Sequence, residues 1–522
     1  MTFNKINNSE FDSKFTLNHS LKALTYLKTR GFNQVFYDKI KSMMDYICIF
    51  FNTYENLLFH SSFIVISAIC SFLIFIISQT VVPREISMGR DAYLYMLVAE
   101  RWLNGWIFIN VNYDFGLSLF EILAISLGSL FGLDPIQSLI IFFSTVSCLS
   151  MFLLAILSRI LTNNRWSYHV AIIFVATDFT LVYLSVRPLT DTFHAMLILL
   201  IILIQIKLLK FFSNEGTMQH SNINILLLAL SLGVCSGIIT TVRHSAITFL
   251  LLIILLWGAF IFLCDAQTKR KITLFSLIIF PSLLIMISYL FLRCTILGDI
   301  KYLFYFGATS NIWIDSPYEQ WYYFMRGLPN PTLHEYLQTH TLNYIFQREL
   351  LGIFSIFREF IGHFSVLLFF LVLGVISLFR KNYRIIFILF APIFYVVVIY
   401  GWFWNYIYHL RLIRYLLPTF YIFYLISIYS IQFLLTEIGD RQTSTRFKDM
   451  YIGLSVVFLG LYLIIRAFFN LKRFAFDGFD LPLLSGTIAF LLIFGVFFII
   501  FYPKKIKEMT IDNLRSVIQR YL

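Results

Sequence analysis

The sequence predicts an all-α polytopic membrane protein of about twelve transmembrane helices, with juxtamembrane amphipathic helices in its first large extracytoplasmic loop. Three observations predict it. Hydrophobic residues make up 59% of the 522 and charged residues 13%, with a mean hydropathy of +0.80; a soluble domain is about 45–50% apolar and about a quarter charged. Apolar runs close to the ~20 residues that cross a bilayer recur from about residue 58 to the C-terminal tail. Lys and Arg collect in the short connections between those runs, the pattern of cytoplasmic loops.

Residues 1–57 are mixed in character and carry Lys5, Lys14, Lys22, Lys28, Lys39 and Lys41. They read as a cytoplasmic N-terminal segment. The first apolar run, 58–82, begins too late for a cleaved signal peptide and reads as the first permanent span. Further runs lie near 136–160, 167–186, 192–212, 223–241, 245–264, 272–292, 363–379, 385–401, 415–435, 450–469 and 483–502.

The run 116–133 is short, holds Glu121 and is broken by Gly116, Gly128 and Gly132. If it does not cross, Arg159, Arg165, Lys207, Lys210, Lys269-Arg270-Lys271, Arg380-Lys381, Arg441, Arg446, Lys448 and Lys504-Lys505 all fall in the cytoplasm. If it crosses, most of them land outside. It therefore reads as a re-entrant or juxtamembrane helix with both ends outside. The domain reading is a transmembrane module over 58–435, with extracytoplasmic loops at about 83–135 and 293–362. Residues 436–522 follow as a C-terminal transmembrane pair with a basic cytoplasmic tail.

Several function classes lose support at this stage. The net charge of +12 is accounted for by the basic loops, so no nucleic-acid partner is expected. The six cysteines are scattered without a CxxC, which indicates neither a disulfide framework nor a zinc site. No P-loop, GxGxxG, HExxH, GxSxG or DxD is present. No cofactor is expected. A divalent metal stays open, but no ligand cluster indicates one. The short cytoplasmic connections leave no soluble domain on that side, so any chemistry belongs at the outer face.

Three constellations could carry it. Gly89-Arg90-Asp91-Ala92-Tyr93 opens a helical pattern ending at Asn104-Gly105, with Leu94, Leu97, Val98 and Trp102 on one face. Asp91 is either an ordinary helix N-cap or a carboxylate held at the membrane surface as a general base. Arg187-Pro188-Leu189-Thr190-Asp191-Thr192 enters the next span, and the same choice applies to Asp191. Asp178 lies in the preceding run, where an intramembrane acid is a functional candidate unless it sits near a helix end. The third is His409-Leu410-Arg411-Leu412-Ile413-Arg414-Tyr415-Leu416-Leu417-Pro418. Outward arginines beside Trp402, Trp404, Tyr406 and Tyr408 could clamp an anionic head group or snorkel to lipid phosphate. Arg243-His244 is a smaller pair of the same kind.

Taken together, these motifs resemble the GT-C superfamily of membrane glycosyltransferases, in the branch of protein O-mannosyltransferases and the lipid A aminoarabinose transferase. The resemblance covers about 58–435. It rests on Gly89-Arg90-Asp91-Ala92-Tyr93, Leu189-Thr190-Asp191, Arg414-Tyr415-Leu416-Leu417-Pro418 and the large second loop. Ala92 stands where many relatives carry a second acid, and Tyr113-Asp114-Phe115-Gly116 replaces their proline pair.

The resemblance implies an inverting transferase. It takes a sugar from a polyprenyl- or dolichyl-phosphate donor and passes it to a protein, lipid or glycan acceptor at the extracytoplasmic face. By that likeness Asp91 is the base and Asp191 positions acceptor or substrate. Arg414, with Arg411 and Arg243, holds the carrier phosphate, and Tyr93, Tyr415 and His409 are substrate-binding candidates. The competing reading is a transporter or flippase of a lipid-linked or anionic solute. A bacterial inner membrane is favoured over the endoplasmic reticulum, because the chain ends without a retrieval signal.

Overall fold

Every described element is helical, and no strand occurs among the described residues. The computed structural model describes residues 90–106, 115–163, 166–176, 178, 181, 189–213, 222–262, 268–298, 326, 333–364, 367–404 and 413–441, all within the unit Ser67–Leu522. The helices are α1 (Arg90–Leu103), α2 (Gly116–Ser129), α3 (Pro135–Thr162), α4 (Trp166–Ala176), α5 (Thr190–Ser213) and α6 (Asn222–Val242). They continue as α7 (Ile247–Phe262), α8 (Thr268–Leu297), α9 (Leu333–Thr339), α10 (Leu342–Phe364), α11 (Leu367–Trp404) and α12 (Leu417–Arg441). Two 3₁₀ turns, His244–Ala246 and Ile413–Leu416, precede α7 and α12.

Seven helices among the described residues are long and apolar enough to cross a membrane: Pro135–Thr162, Thr190–Lys210, Ile223–Val242, His244–Phe262, Arg270–Leu297, Phe370–Trp402 and Arg414–Phe433. Local chemistry explains their starts. Asp134 accepts a hydrogen bond from the Gln137 N–H at 2.8 Å, and Pro135 fills the first helical position of α3. The expected spans at 58–82, 450–469 and 483–502 lie outside the described residues. So do the N-terminal segment 1–57 and nearly all of 436–522. Only residues 167–176 of the 167–186 region lie in a described helix, α4.

The expected pair at 363–379 and 385–401 appears as one element, α11, broken at Asn382 (φ −160°, ψ 90°). The Asn382 Oδ1 accepts from the Arg384 N–H at 3.1 Å and so restarts the helix. Thirty-eight helical residues in a straight line would span about 57 Å. Yet Phe364 packs on Phe420 at 5.3 Å and Tyr400 stacks on Tyr415 at 4.9 Å, both near the start of α12. The element is therefore a hairpin, with Arg380, Lys381 and Arg384 at its tip.

α5 and α12 are the most enclosed helices. α5 packs against α3, α6, α11 and α12, and α12 against α3, α4 and α11. α8 instead exposes Phe280, Leu284, Ile287 and Phe291 along one side, the surface expected of a helix facing lipid. The helix ends sort into two poles. Thr190, Val242, Ile247, Trp404 and Leu417 lie at one. At the other, the Lys210 Nζ donates to the Ile160 carbonyl at 3.3 Å and lies within electrostatic reach of Lys381.

α2 stays at the first pole. A Cβ on Gly116 would lie 2.1 Å from the Thr241 carbonyl oxygen at the end of α6, and one on Gly128 would lie 1.9 Å from Ser138 at the start of α3. Both ends of α2 therefore meet the same pole, as a helix that does not cross must. α1 packs on α2, where the Ser118 hydroxyl donates to the Tyr95 carbonyl at 3.2 Å. Its Val98 and Trp102 join Phe115 and Tyr289 in an apolar cluster.

Candidate functional site

Five helix ends converge at the pole that carries α1 and α2. Asp191 occupies the first turn of α5 and is 2% exposed. Arg243 is an extended residue (φ −146°, ψ 110°) between the last residue of α6 and the turn that opens α7. Arg414 and Tyr415 lie on the turn before α12, and Tyr400 lies in the last part of α11.

The Arg243 Nη1 donates to the Asp191 Oδ1. The Arg414 Nε lies 3.6 Å from the other carboxylate oxygen. One carboxylate thus faces two guanidinium groups, and the cluster keeps a surplus positive charge. Burial works against the Arg243 charge, but the Asp191 carboxylate together with Tyr400, Tyr395 and Tyr415 overcomes it and holds the guanidinium protonated well above its ordinary range. The side chain of Arg414 is the more open of the two, at 23% against 12%.

Aromatic residues form the floor. Tyr400 and Tyr415 stack at 4.9 Å with planes 8° apart, and the Arg243 guanidinium lies 5.1 Å and 4.5 Å over them. Arg414 lies 4.8 Å over Tyr415 and donates to its hydroxyl at 2.8 Å. Beneath, the Ser245 hydroxyl bonds both the Tyr395 and Tyr400 hydroxyls, at 3.0 Å and 3.2 Å. His194 meets Tyr395 edge-on at 5.8 Å. It is fully buried and its ring nitrogens have no hydrogen-bond partner among the described residues.

This arrangement suits a ligand with an anionic group. Two cations, one fixed by a carboxylate and by aromatic faces, present preset charge. Of the residues singled out from the sequence, Asp191, Arg243, Arg414 and Tyr415 come together. Asp91 falls on the first turn of α1 at the same pole. Tyr93 lies on that helix and is 52% exposed. His409 and Arg411 lie outside the described residues. No group of three or more His, Cys, Asp or Glu able to hold a metal occurs among the described residues.

A second polar cluster lies deeper. Asp178 is fully buried; its Oδ2 is 2.9 Å from the His363 Nε2 and accepts from the Tyr424 hydroxyl at 2.6 Å. Its Oδ1 accepts from the Leu181 N–H at 3.3 Å. His363 also stacks on Phe420 at 4.2 Å. Sequence reasoning named Asp178 but passed over His363 and Tyr424. An ionisable residue opening an apolar run was the available signal for His363. Tyr400 and Ser245 carried none, since tyrosines at span ends are ordinary belt residues. Compared with protein-family models and with curated proteins, the chain matches none.

Proposed function

We propose that the protein is an inverting glycosyltransferase that moves a sugar from a polyprenyl- or dolichyl-phosphate carrier to an acceptor at the extracytoplasmic face of its membrane. The observation that supports this most is the meeting of Asp191, Arg243 and Arg414 over the Tyr400–Tyr415 stack. Its surplus positive charge matches a leaving group that gains negative charge as the sugar–phosphate bond breaks. Asp191 in this reading holds the two arginines in place, a narrower role than direct handling of the acceptor. Arg414 is the more accessible cation and contacts the carrier phosphate. Asp91 deprotonates the acceptor hydroxyl, which attacks the anomeric carbon from the face opposite the phosphate, and Tyr93 lies two residues along the same helix.

The test is transfer from a polyprenyl-phosphate sugar by the purified protein in lipid nanodiscs. Asp91→Asn is expected to abolish turnover while leaving thermal stability unchanged. Near-wild-type transfer by a folded Asp91→Asn protein would sink that role. Arg414→Ala is expected to weaken donor binding about 10- to 100-fold, the loss of a charge-assisted contact.

One observation favours a second reading. The Asp178–His363–Tyr424 cluster is the kind of buried acid–imidazole pair that marks proton relays in transporters. A proton-driven transporter would move a lipid-linked or anionic solute without making a glycosidic bond. Solute movement in vesicles, with no transferred sugar, would favour it.

A further inference from the structure

The last turn of α11 is shared by two clusters. Tyr400 belongs to the cationic one, whereas Gly401 and Trp402 touch α10. There, three rings follow one another at four-residue spacing: Tyr336 stacks on His340 at 4.1 Å, and His340 meets Tyr344 tilted at 4.9 Å. Exposure rises along the ladder: Tyr336 is buried, His340 half-buried and Tyr344 40% exposed. At the inner end Tyr336 meets Trp402 edge-on at 6.0 Å. Arg348 closes that end, donating to the Tyr336 hydroxyl at 2.7 Å with its guanidinium 4.5 Å over Trp402.

Glu349 follows Arg348 and is half-buried. Its Oε1 is buried with no hydrogen-bond partner among the described residues. A Cβ on Gly401 would come within 3.0 Å of that oxygen, so glycine there leaves the carboxyl its room. An orphaned carboxyl oxygen at a buried helix contact is costly unless something satisfies it.

We propose that this cluster is a second subsite, built to hold a hydroxyl-rich acceptor of the saccharide class. The inference rests on the transferase reading above. A pyranose has an apolar C–H face, which packs on aromatic rings, and a rim of hydroxyls, which donate to a carboxylate and accept from a guanidinium. Tyr400 and Trp402 are separated by about 3 Å of helical rise and about 200° of rotation, so the two clusters flank opposite sides of one helix end. A donor held by the cations and an acceptor reaching over from the ring ladder would be brought together at the end of that helix.

α10 is not among the membrane-length apolar helices, and burial lifts the Glu349 carboxyl to about 7 against the opposing pull of Arg348. The charged group that acts on it is Arg348, on its own helix, and the α11 residue beside its Oε1 is Gly401, which carries no charge. An ionised carboxylate accepts hydroxyl bonds more strongly than a protonated one. Saccharide binding should strengthen as the pH rises through about 7.

The experiment uses the full chain in nanodiscs, with mannobiose and chitobiose as probes and saturation-transfer NMR as readout. Wild type, Glu349→Gln and Tyr344→Ala are each measured one unit below and one unit above the Glu349 value of about 7. Wild type is expected to bind at least one disaccharide, more tightly at the higher pH. Glu349→Gln should bind about tenfold more weakly and lose the pH dependence. Tyr344→Ala, at an exposed ring that folding does not need, should weaken binding at both pH values and decides the matter if Glu349→Gln fails to fold. No binding by wild type, equal binding by all three, or a pH dependence that survives Glu349→Gln overturns the subsite. Sugar transfer from the lipid donor is assayed separately. Transfer with no effect of these variants on binding removes the subsite alone. Variant-sensitive binding without transfer removes the transferase reading alone.

Discussion

The two poles of the helical bundle use cations in different ways. At the basic pole Arg159 donates to the Tyr168 hydroxyl at 2.7 Å, Lys210 to the Ile160 carbonyl, and Lys381 lies 5.8 Å from the Tyr429 ring centre. These charges lean on hydroxyls, carbonyls and rings near helix ends, as residues that set membrane orientation do. At the opposite pole Arg243 and Arg414 converge on one buried carboxylate and share a stacked tyrosine pair. The lesson is that a cation count does not separate topology from chemistry in such a chain. The partner does: a shared carboxylate fixes two arginines at one point, whereas a carbonyl or a ring lets each cation serve alone.

The comparison can be broken by substitution, beginning with the largest expected effect. Asp191→Ala leaves two guanidinium groups facing each other without their carboxylate and should cost about 3–5 kcal/mol of stability. The paired change Asp191→Leu with Arg243→Met should restore most of that stability in thermal unfolding, yet leave binding of an anionic lipid well below wild type, because Arg414 loses its anchor. If the pair also restores binding, the cluster is structural and the poles do not differ in kind. Next in size is Asp178→Asn, which keeps the shape but weakens the bonds to His363 and Tyr424. A loss of about 1–3 kcal/mol is expected in the same assay.

Glu121 sharpens the contrast through pH. It is fully buried on α2 and neither carboxyl oxygen has a hydrogen-bond partner among the described residues. Burial pushes its carboxyl well above the ordinary value of 4.5. The folded state therefore keeps a proton that the unfolded chain releases. Its contribution is whole below 4.5 and is lost as the pH rises towards the folded-state value. Melting temperature should fall with rising pH in wild type relative to Glu121→Gln; parallel curves would refute this. The smallest stability effects belong to the basic pole. Arg159→Ala or Lys381→Ala should cost no more than about 1 kcal/mol. Reporter fusions should nevertheless show that removing several of these cations together scrambles orientation.

Much of the architecture was legible because lipid imposes one strong rule, that backbone polar groups be satisfied within each helix. The length of the apolar runs located α3, α5, α6, α7, α8 and α12. The cation pattern identified α2 as a helix that stays at one pole, as its contacts with Thr241 and Ser138 bear out. The hairpin of α11 was legible as two runs, because Arg380 and Lys381 interrupt the apolar pattern. The expected apolar face of α1 was half right. Val98 and Trp102 pack inward, but Tyr95 and Met96 are buried where Leu94 and Leu97 are only partly so. A period of 3.6 fixes a face only to within about one residue on a short helix.

The candidate site was legible in its charges and illegible in its floor. Asp191, Arg243 and Arg414 are rare types in an apolar chain and announce themselves. Tyr400 and Ser245 are common types whose importance comes only from where other helices end. Asp178 was visible as an acid, but His363 and Tyr424 lie 185 and 246 residues from it in the chain. No local pattern encodes such a meeting.

Arg243 connects α6 to the turn before α7 as a single extended residue, with no loop on either side. It cannot be repositioned without moving two packed helices. Holding a long side chain in one arrangement ordinarily costs a binding site about 0.5–1.5 kcal/mol of conformational entropy. Here that cost falls on folding instead. An arriving anion meets a charge that is already ordered, and selectivity at this point comes from what the fixed guanidinium excludes as much as from what it attracts.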